Sequence, residues 1–490
     1  MDTKRAFVLR HGLPGLVGAG LISVGALGVG WLPLETNLLA NPLVDMLRSS
    51  VGGSLVARAF VFLGLAVLLQ AWLVLGADLL DDHRPPIRSL RWILAMWSAP
   101  LLLAPPMFSR DVYSYYVQGR LFAAGSDPTT MGVASIPGWF QDGADPMWAE
   151  APTPYGPAFL AIERAIATVA HPNAYLAGLM FRIVCLAGVV LLVIFVPKLA
   201  SLHGVDPGRA MWLAVLNPLV LMHFISGAHN DALMVGLVVA AFWFAMTCRC
   251  IWGGVLIGAA CAVKPIAIIA LPFVGLAWAG VGATWLTRIR AWALSLLDFA
   301  ITVVCFYLTV NSGFGVLAAA FGTPSGVLTW LSPATAIGQV IGYLTTMIGV
   351  TADAGPAVFI VRAIGSAVAL IIIAILILRP GRMSPVRGAA WALGALVVLG
   401  PVIQPWYLLW FLPLFATTGL SRRALQLTVL ITAAFTVHGM VESSTTSDNF
   451  LDITDGITFA VAVAIVALVA LVSPRERKLL LGGTTGTLHS

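Results

Sequence analysis

The sequence predicts an all-α polytopic membrane protein, and three observations lead to this fold class. The chain has 490 residues, of which 59% are hydrophobic and 10% are charged, and its mean hydropathy is +0.95. These values lie outside the range of soluble globular proteins. Apolar runs long enough to span a bilayer, roughly 20 residues each, recur throughout the chain, and the short alternating segments of a membrane β-barrel are not evident.

Fourteen apolar runs are candidate spans, but several are shorter than a full crossing, so we expect roughly twelve to fourteen transmembrane helices. Lys264-Pro265 splits the run 251–281, which is either two half-helices or one kinked helix. No linker, soluble domain or tandem repeat is evident, so residues 1–490 are read as one domain. The runs are 13–32, 54–77, 92–108, 174–197, 210–226, 231–247, 251–263, 266–281, 291–311, 357–378, 388–402, 406–418, 424–441 and 456–472.

The distribution of lysine and arginine predicts the orientation. With the amino end in the cytoplasm and alternating spans, 19 of the 27 cations fall on the cytoplasmic side, as the positive-inside rule expects. Both termini of this multi-pass plasma-membrane protein would then be cytoplasmic. The other eight cations lie outside or within the membrane, and they are Arg48, Arg58, Arg110, Arg120, Arg164, Arg182, Lys264 and Arg362.

Two long segments become extracytoplasmic in this topology, 109–173 and 312–356. The first is rich in Gly, Pro, Trp and Asp, which favours an ordered irregular lid over a tether. Its end, 157–170, has the pattern of a short amphipathic helix. The second contains a short apolar piece at 335–350.

The stretch from Phe108 to Arg120 interrupts the apolar pattern with one acid, two arginines, three tyrosines and a glutamine. A carboxylate at the depth where the dielectric changes can have a tuned basicity. We therefore predict that Asp111 is a catalytic base, with Arg110, Tyr113 and Arg120 binding substrate. The alternative is an interfacial belt in which Arg110 and Asp111 form a local ion pair.

Polar residues at two other places are candidates for the same site. His229-Asn230-Asp231 lies between two apolar runs, where it orients a substrate hydroxyl or the base, or else forms a helix cap. The cations Lys264, Arg182 and Arg362 suit a lipid phosphate or diphosphate. The alternatives are snorkelling and ion pairs with Asp231, Asp353 or Asp298.

Gln404-Pro405-Trp406-Tyr407 interrupts an apolar pair at the predicted outer face. Trp406 and Tyr407 either stack on sugar rings or anchor helices at the headgroups.

Several other function classes are excluded or unsupported. The cations are dispersed, so no nucleic-acid partner is expected, and no Walker loop or His-rich or Cys-rich metal cluster is present. The outer carboxylates lack a compact Asp-x-Asp spacing, so we predict no cofactor or metal, although a divalent cation at Asp127, Asp142, Asp145 and Glu150 stays open. The five cysteines read as small buried residues.

Five motifs together resemble the actinobacterial polyprenyl-phosphomannose-dependent α-1,6-mannosyltransferases, which belong to the GT-C glycosyltransferases. The similarity covers roughly residues 90–440. The motifs are Ser109-Arg-Asp-Val-Tyr-Ser-Tyr115, Pro154-Tyr-Gly-Pro157, Leu216-Asn-Pro-Leu-Val-Leu221 with Gly227-Ala-His-Asn-Asp231, Ala262-Val-Lys264, and Pro405-Trp-Tyr407.

The resemblance implies transfer of mannose from a polyprenyl-phosphate-mannose lipid to a phosphatidylinositol-anchored mannan, outside the membrane. This reaction builds the α-1,6-mannan core of lipomannan and lipoarabinomannan. It implies a GT-C-like bundle whose first large outer loop carries the catalytic acid, matched here by Asp111. Tyr155 of the second motif is counted among the substrate-binding residues. One base and in-line displacement would invert the donor linkage.

A flippase or transporter of lipid-linked sugars is the alternative, because it would also place cations inside the membrane and aromatic residues at the mouth of a cavity. It would not need a carboxylate at a fixed outer position, and no convincing pair of inverted repeats is found.

Overall fold

The structure is a computed structural model, and it describes residues 3–81, 84–247 and 250–442. Within these ranges every regular element is a helix and no strand occurs. The α-helices are α1 Thr3–Val29, α2 Pro42–Ser49, α3 Val51–Leu80, α4 Ile87–Ser98, α5 Asp111–Ala123, α6 Pro157–Ala170, α7 Ala174–Leu202, α8 Pro207–Ala214, α9 Asp231–Met246, α10 Cys250–Val263, α11 Leu271–Ala279, α12 Trp285–Val310, α13 Val316–Gly322, α14 Pro333–Met347, α15 Gly355–Leu378, α16 Pro385–Leu399, α17 Leu408–Thr418 and α18 Arg422–Glu442.

The protein is a polytopic all-α membrane protein, as the sequence predicts. Among the described residues, five helices are long and apolar enough to cross a membrane, namely α1, α3, α7, α12 and α15. A π-helix at Val220–Ser226 and α9 make a sixth span if they count as one, although the chain bends by 112° between them. Shorter apolar helices such as α10 and α16 account for part of the larger predicted number. The predicted run 456–472 lies outside the described residues.

Three of the predicted spans are broken, each near a residue that cannot continue a helix. The run 92–108 ends as an α-helix at Ser98 and passes through a short 3-10 turn into the irregular segment around Pro105-Pro106. The run 210–226 divides into α8 and the π-helix. The run 251–281 breaks at Lys264, whose backbone is extended, immediately before Pro265.

Helix α5 is an element that the sequence analysis did not predict, because it treated 109–173 as an irregular outer segment with a helix only at 157–170. The helix begins at Asp111, and the backbone N–H of Asp111 donates to Ser109 Oγ at 3.1 Å. It packs tightly on α6, and a Cβ on Gly119 would lie 2.1 Å from the backbone oxygen of Glu163. Gly119 therefore lets two short helices approach closely enough to form one rigid unit.

The helices at the predicted outer segments agree with the sequence at two places. Helix α6 covers the predicted amphipathic helix, and α14 covers most of 335–350.

The two predicted outer segments, 109–173 and 312–356, contact each other, since Thr323 Oγ1 donates to the backbone oxygen of Pro152 at 2.8 Å. Gly156 ties the first segment to α10, because its N–H donates to Val263 O at 3.0 Å and its Cα leaves no room for a side chain beside Ala262.

Candidate active site

A cavity of about 690 Å³, including its open mouth, lies where α5, the turn before α9, the break at Lys264 and the segment 402–407 meet. It is lined by Asp111, Ser114, Tyr115, Gln118, Trp148, Ala151, Pro152, Pro154, Tyr155, His229, Asp231, Lys264, Thr323, Val327, Val402, Gln404, Trp406 and Tyr407. Seven residues that the sequence singled out therefore come together: Asp111, Tyr155, His229, Asp231, Lys264, Trp406 and Tyr407.

One face of α5 forms a wall of the cavity. Asp111, Ser114, Tyr115 and Gln118 follow the three- and four-residue spacing that places side chains on one helical face. The sequence analysis did not assign Ser114, Tyr115 and Gln118 to the site. Their spacing places them on the same face as Asp111 only if the stretch is a helix, and no helix was predicted there. Recognising α5 would have identified them.

The two oxygens of the Asp111 carboxylate have different neighbours. Trp148 Nε1 donates to Asp111 Oδ1 at 2.9 Å, and His229 Nδ1 lies 3.5 Å from Asp111 Oδ2. Burial raises the pKa of Asp111 to about 6, and the charges of Asp145 and Asp231 act in the same direction. The Trp148 hydrogen bond and the charge of Lys264 oppose this rise in the pKa. Asp111 is therefore a carboxylate at neutral pH that takes up a proton more readily than an exposed aspartate.

The turn between the π-helix and α9 brings His229 against Asp111. Ala228 has φ +52, a left-handed conformation that non-glycine residues rarely adopt. His229 Nδ1 thereby lies next to the carboxylate, while the imidazole stacks on the Trp406 ring with centroids 3.8 Å apart. Trp406 is thus packed against a histidine of the site, in addition to lining the cavity.

Lys264 and Asp231 form a buried ion pair within the cavity wall, which was one of the alternatives left open by the sequence. Lys264 Nζ lies 2.8 Å from Asp231 Oδ1, and Trp410 Nε1 donates to the same oxygen at 2.5 Å. The Lys264 ammonium also lies 5.2 to 5.8 Å from the ring centroids of Tyr155, Tyr407 and Trp410, within the range of cation–π attraction. Trp410 is a contributor that the sequence analysis missed.

Arg182 and Arg362 lie behind the cavity wall, unlike Lys264. The Arg182 guanidinium donates to Ser226 O and Leu102 O. It thus holds the start of the turn that carries His229. Arg362 donates to Thr335 Oγ1 and to the backbone oxygen of Val327. Neither arginine is among the cavity-lining residues.

Three other predicted site residues hold the first outer segment in place and do not line the cavity. Arg110 pairs with Asp145 at 3.6 Å and covers the Trp31 ring, so the local Arg110–Asp111 ion pair is not the arrangement seen. Tyr113 donates from its hydroxyl to Trp31 O at 3.1 Å. Arg120 pairs with the carboxylate of Asp142.

Asn230 is fully buried and does not line the cavity, and it makes no side-chain cap at the start of α9. Neither atom of its amide has a hydrogen-bond partner among the described residues. The helix-cap interpretation therefore does not explain this residue. The described part of the chain contains no group of three or more His, Cys, Asp or Glu side chains that could hold a metal ion.

Comparison with known proteins identifies relatives along most of the chain. Residues 12–280 match the family model described as α-(1→6)-mannopyranosyltransferase, N-terminal domain, and residues 334–475 match the MptB C-terminal domain. No solved structure matches the chain.

Three curated relatives are similar over most of their lengths. A probable α-(1→6)-mannopyranosyltransferase of Mycolicibacterium smegmatis is 33% identical over 96% of this chain and 89% of the relative. α-(1→6)-Mannopyranosyltransferase A of Mycobacterium tuberculosis is 34% identical over 84% and 80%, respectively. α-(1→6)-Mannopyranosyltransferase B of Corynebacterium glutamicum is 30% identical over 81% and 71%. The chain with this cavity therefore belongs to the α-(1→6)-mannopyranosyltransferase family and is a membrane-embedded glycosyltransferase.

Proposed function

We propose that the protein transfers mannose from a polyprenyl-phosphate-mannose lipid to a phosphatidylinositol-anchored mannan, forming an α-1,6 linkage with inversion. The observation that carries this proposal is the placement of Asp111 and Lys264 in one cavity. A donor and an acceptor bound in this cavity would thus have a base beside the acceptor hydroxyl and a cation beside the leaving phosphate. The flippase alternative is set aside, because the chain belongs to a transferase family.

In this reaction the acceptor 6-hydroxyl attacks the anomeric carbon of the donor mannose. The new C–O bond forms as the bond from the anomeric carbon to the phosphate oxygen breaks, and its electron pair leaves with the polyprenyl phosphate. Asp111 takes the hydroxyl proton. Attack from the face opposite the phosphate converts a β-linked donor into an α-linked product.

The charges around the cavity favour a leaving group with a single phosphate. Lys264 is the one cation among the described residues that line the cavity, whereas Asp111 and Asp231 supply two carboxylates. One Lys264 donor is engaged by Asp231, which leaves other ammonium protons for a phosphate oxygen. A diphosphate would bring more negative charge than one shared lysine compensates.

The proposed location of this chemistry is the extracytoplasmic face of the plasma membrane, with both termini in the cytoplasm. The support is the cation distribution of the sequence together with the origin of the cavity walls. Asp111, Trp148 and Tyr155 come from 109–173, and Thr323 and Val327 come from 312–356. Closing such a cavity around the donor excludes water, which would otherwise hydrolyse it.

The proposal is tested with purified protein, polyprenyl-phosphate-mannose and a short α-1,6-mannoside acceptor. We expect a product with a new α-1,6 bond, identified by NMR, from a β-linked donor. Asp111→Asn keeps the shape of the side chain but cannot accept the proton, so the rate should fall by about two to four powers of ten. Asp45→Asn, at an exposed position of α2, is the matched control and should transfer at the wild-type rate.

Two results would contradict the proposal. A β-linked product from a β-linked donor would exclude single inversion. Rapid transfer by folded Asp111→Asn would assign the base elsewhere, with Asp231 as the next carboxylate in the cavity.

A further inference from the structure

We propose that Trp148 is a positioning residue for the base, an inference that rests on the proposed role of Asp111. The indole N–H fixes Asp111 Oδ1, which leaves Oδ2 as the oxygen that receives the acceptor proton. The two residues are 37 positions apart, and Trp148 was not among the residues that the sequence analysis assigned to the site.

The segment that carries Trp148 is anchored to the first turn of α5 at several points. Trp148 ends a 3-10 turn that begins at Pro146, and Asp145 caps this turn by accepting from Met147 N–H at 2.9 Å. The backbone N–H of Asp145 donates to Ser114 Oγ at 3.1 Å, and its carboxylate pairs with Arg110. Asp145 thus contacts Arg110 and Ser114, and Trp148, three residues later, contacts Asp111.

This arrangement affects the protonation of the base as well as its orientation. Burial favours the neutral acid, whereas an N–H donor to the carboxylate favours the ionised form. None of the other charged and titratable groups around Asp111 replaces the indole hydrogen bond at Oδ1. These groups are Arg110, Asp145, Asp231, Lys264, His229, Tyr115, Tyr155 and Tyr407. Removing that bond should therefore leave a base that is protonated at a higher pH and free to rotate.

Trp148→Phe tests the inference, because it removes the N–H and retains an aromatic ring. At pH 7 we expect kcat to fall about tenfold, with little change in the KM for donor. The acid limb of the kcat/KM profile should move up by on the order of one pH unit, so part of the lost rate should return at pH 8. Trp139→Phe, in the same loop but outside the cavity lining, should keep the wild-type profile.

Ser114→Ala is the second variant, because it releases the Asp145 N–H without altering Asp111 or Trp148. It should shift the profile in the same direction by a smaller amount, and it decides the matter if Trp148→Phe fails to fold. A wild-type pH profile in both variants overturns the inference. A lower kcat or unfolding temperature without a shift of the profile would not support it, because disturbed loop packing alone lowers both. Asp111→Asn distinguishes this failure from failure of the proposed function. If Asp111→Asn is inactive while Trp148→Phe keeps the wild-type profile, the role of Trp148 is wrong and the role of Asp111 stands.

Discussion

The cations that lie among apolar runs have different roles in this molecule according to the groups to which they donate hydrogen bonds. Lys264 pairs with Asp231 and still lines the cavity, whereas Arg182 and Arg362 bond oxygens behind its wall. Arginine carries five donors in a rigid fork, and this geometry suits the fixing of carbonyls in broken helices. The amino-acid sequence places all three cations in apolar surroundings, but their partners depend on the tertiary fold.

The pH dependence of transfer follows from the environment of Asp111. Burial raises its pKa from 3.8 to about 6, and only the ionised form accepts a proton. We therefore expect kcat/KM to be level above pH 7 and to fall about tenfold per pH unit well below pH 6. The measurement is a pH–rate profile on purified protein, and an acid limb near pH 4 would contradict a buried base.

The stability associated with Asp111 has the opposite pH dependence. Because the folded-state pKa is raised, the folded protein binds the proton more tightly than the unfolded chain does. The contribution of Asp111 is most favourable below pH 4 and declines as the pH rises through 6. Asp111→Asn should therefore unfold at a higher temperature than wild type at pH 7.5, in a melt of detergent-solubilised protein. A lower unfolding temperature would show that the charged form makes a stabilising contact.

Lys264 can be tested for a phosphate contact separately from its ion pair. Lys264→Met should raise the donor KM about ten- to hundredfold and also lower stability, because it leaves Asp231 charged and buried without its cation. Adding Asp231→Asn should restore much of the stability but not the donor KM. Lys198→Met is the matched control, since Lys198 lies over Phe195 and Trp243 and does not line the cavity. Wild-type donor saturation in Lys264→Met would exclude a phosphate contact.

Sequence reasoning found cavity residues where polarity contrasts with an apolar neighbourhood, as for Asp111, His229 and Lys264. It did not find Trp148 or Trp410, because a tryptophan looks the same in sequence whether its N–H faces a carboxylate or a headgroup. It also gave Tyr113 and Arg120 substrate roles, whereas the structure shows them bonded to Trp31 and Asp142. A polar residue in an apolar stretch can be recognised from the sequence, but the direction of its side chain depends on the tertiary fold.

At the level of elements, the site is assembled from the ends of helices. Asp111 begins α5, Asp231 begins α9, and Lys264 follows the end of α10. Helix ends leave backbone groups unpaired and allow the chain to turn, so charged side chains can meet there. Long spans such as α3 and α7 were predictable because each apolar run contains a single charged residue, Arg58 or Arg182. The sequence analysis did not identify the break at 214–220, although Pro218 lies within it. The π-helical geometry that follows has no clear sequence pattern.

The contact between α5 and α6 should be sensitive to a single methyl group. In Gly119→Ala the new Cβ would meet the Glu163 carbonyl, and backbone atoms in a helix cannot easily move aside. We expect a loss of about 1–3 kcal/mol in the free energy of unfolding, with reduced transfer because α5 carries Asp111.

Gly20→Ala is the control for this substitution, because no atom lies within 4 Å of the new Cβ and alanine favours helices. Thermal melts of both variants provide the measurement. Equal melting temperatures of Gly119→Ala and Gly20→Ala would mean that α5 and α6 can move apart without a loss of stability.

Across the whole molecule, most of the eight cations that depart from the predicted positive-inside pattern contact oxygens or aromatic rings of the protein. Arg48 donates to Leu27 O and Gly30 O, and Arg164 lies over the Phe122 ring. Arg110, Arg120 and Lys264 have acidic partners. With the contacts of Arg182 and Arg362 described above, seven of the eight have identified partners, which explains why they tolerate positions where unpaired charges would be costly.

The orientation is tested by cysteine labelling of intact cells. Gln141 and Arg382 are both exposed in the structure, and the predicted topology places them on opposite sides of the membrane. An impermeant maleimide should label Gln141→Cys but not Arg382→Cys until the cells are opened. The wild-type chain supplies the background from its own cysteines. Equal labelling at both positions would contradict the topology.

The cavity takes Asp111, His229 and Lys264 from the part of the chain that matches one family model, and Gln404, Trp406 and Tyr407 from the part that matches the other. A part exchanged between relatives would therefore meet residues of a different chain across the proposed catalytic centre. A chimera that receives 334–475 from another relative would keep Asp111 and Lys264 but take the residues at 404–407 from that relative. We expect recombination within this family to change the accepted sugar chain before it changes the chemistry.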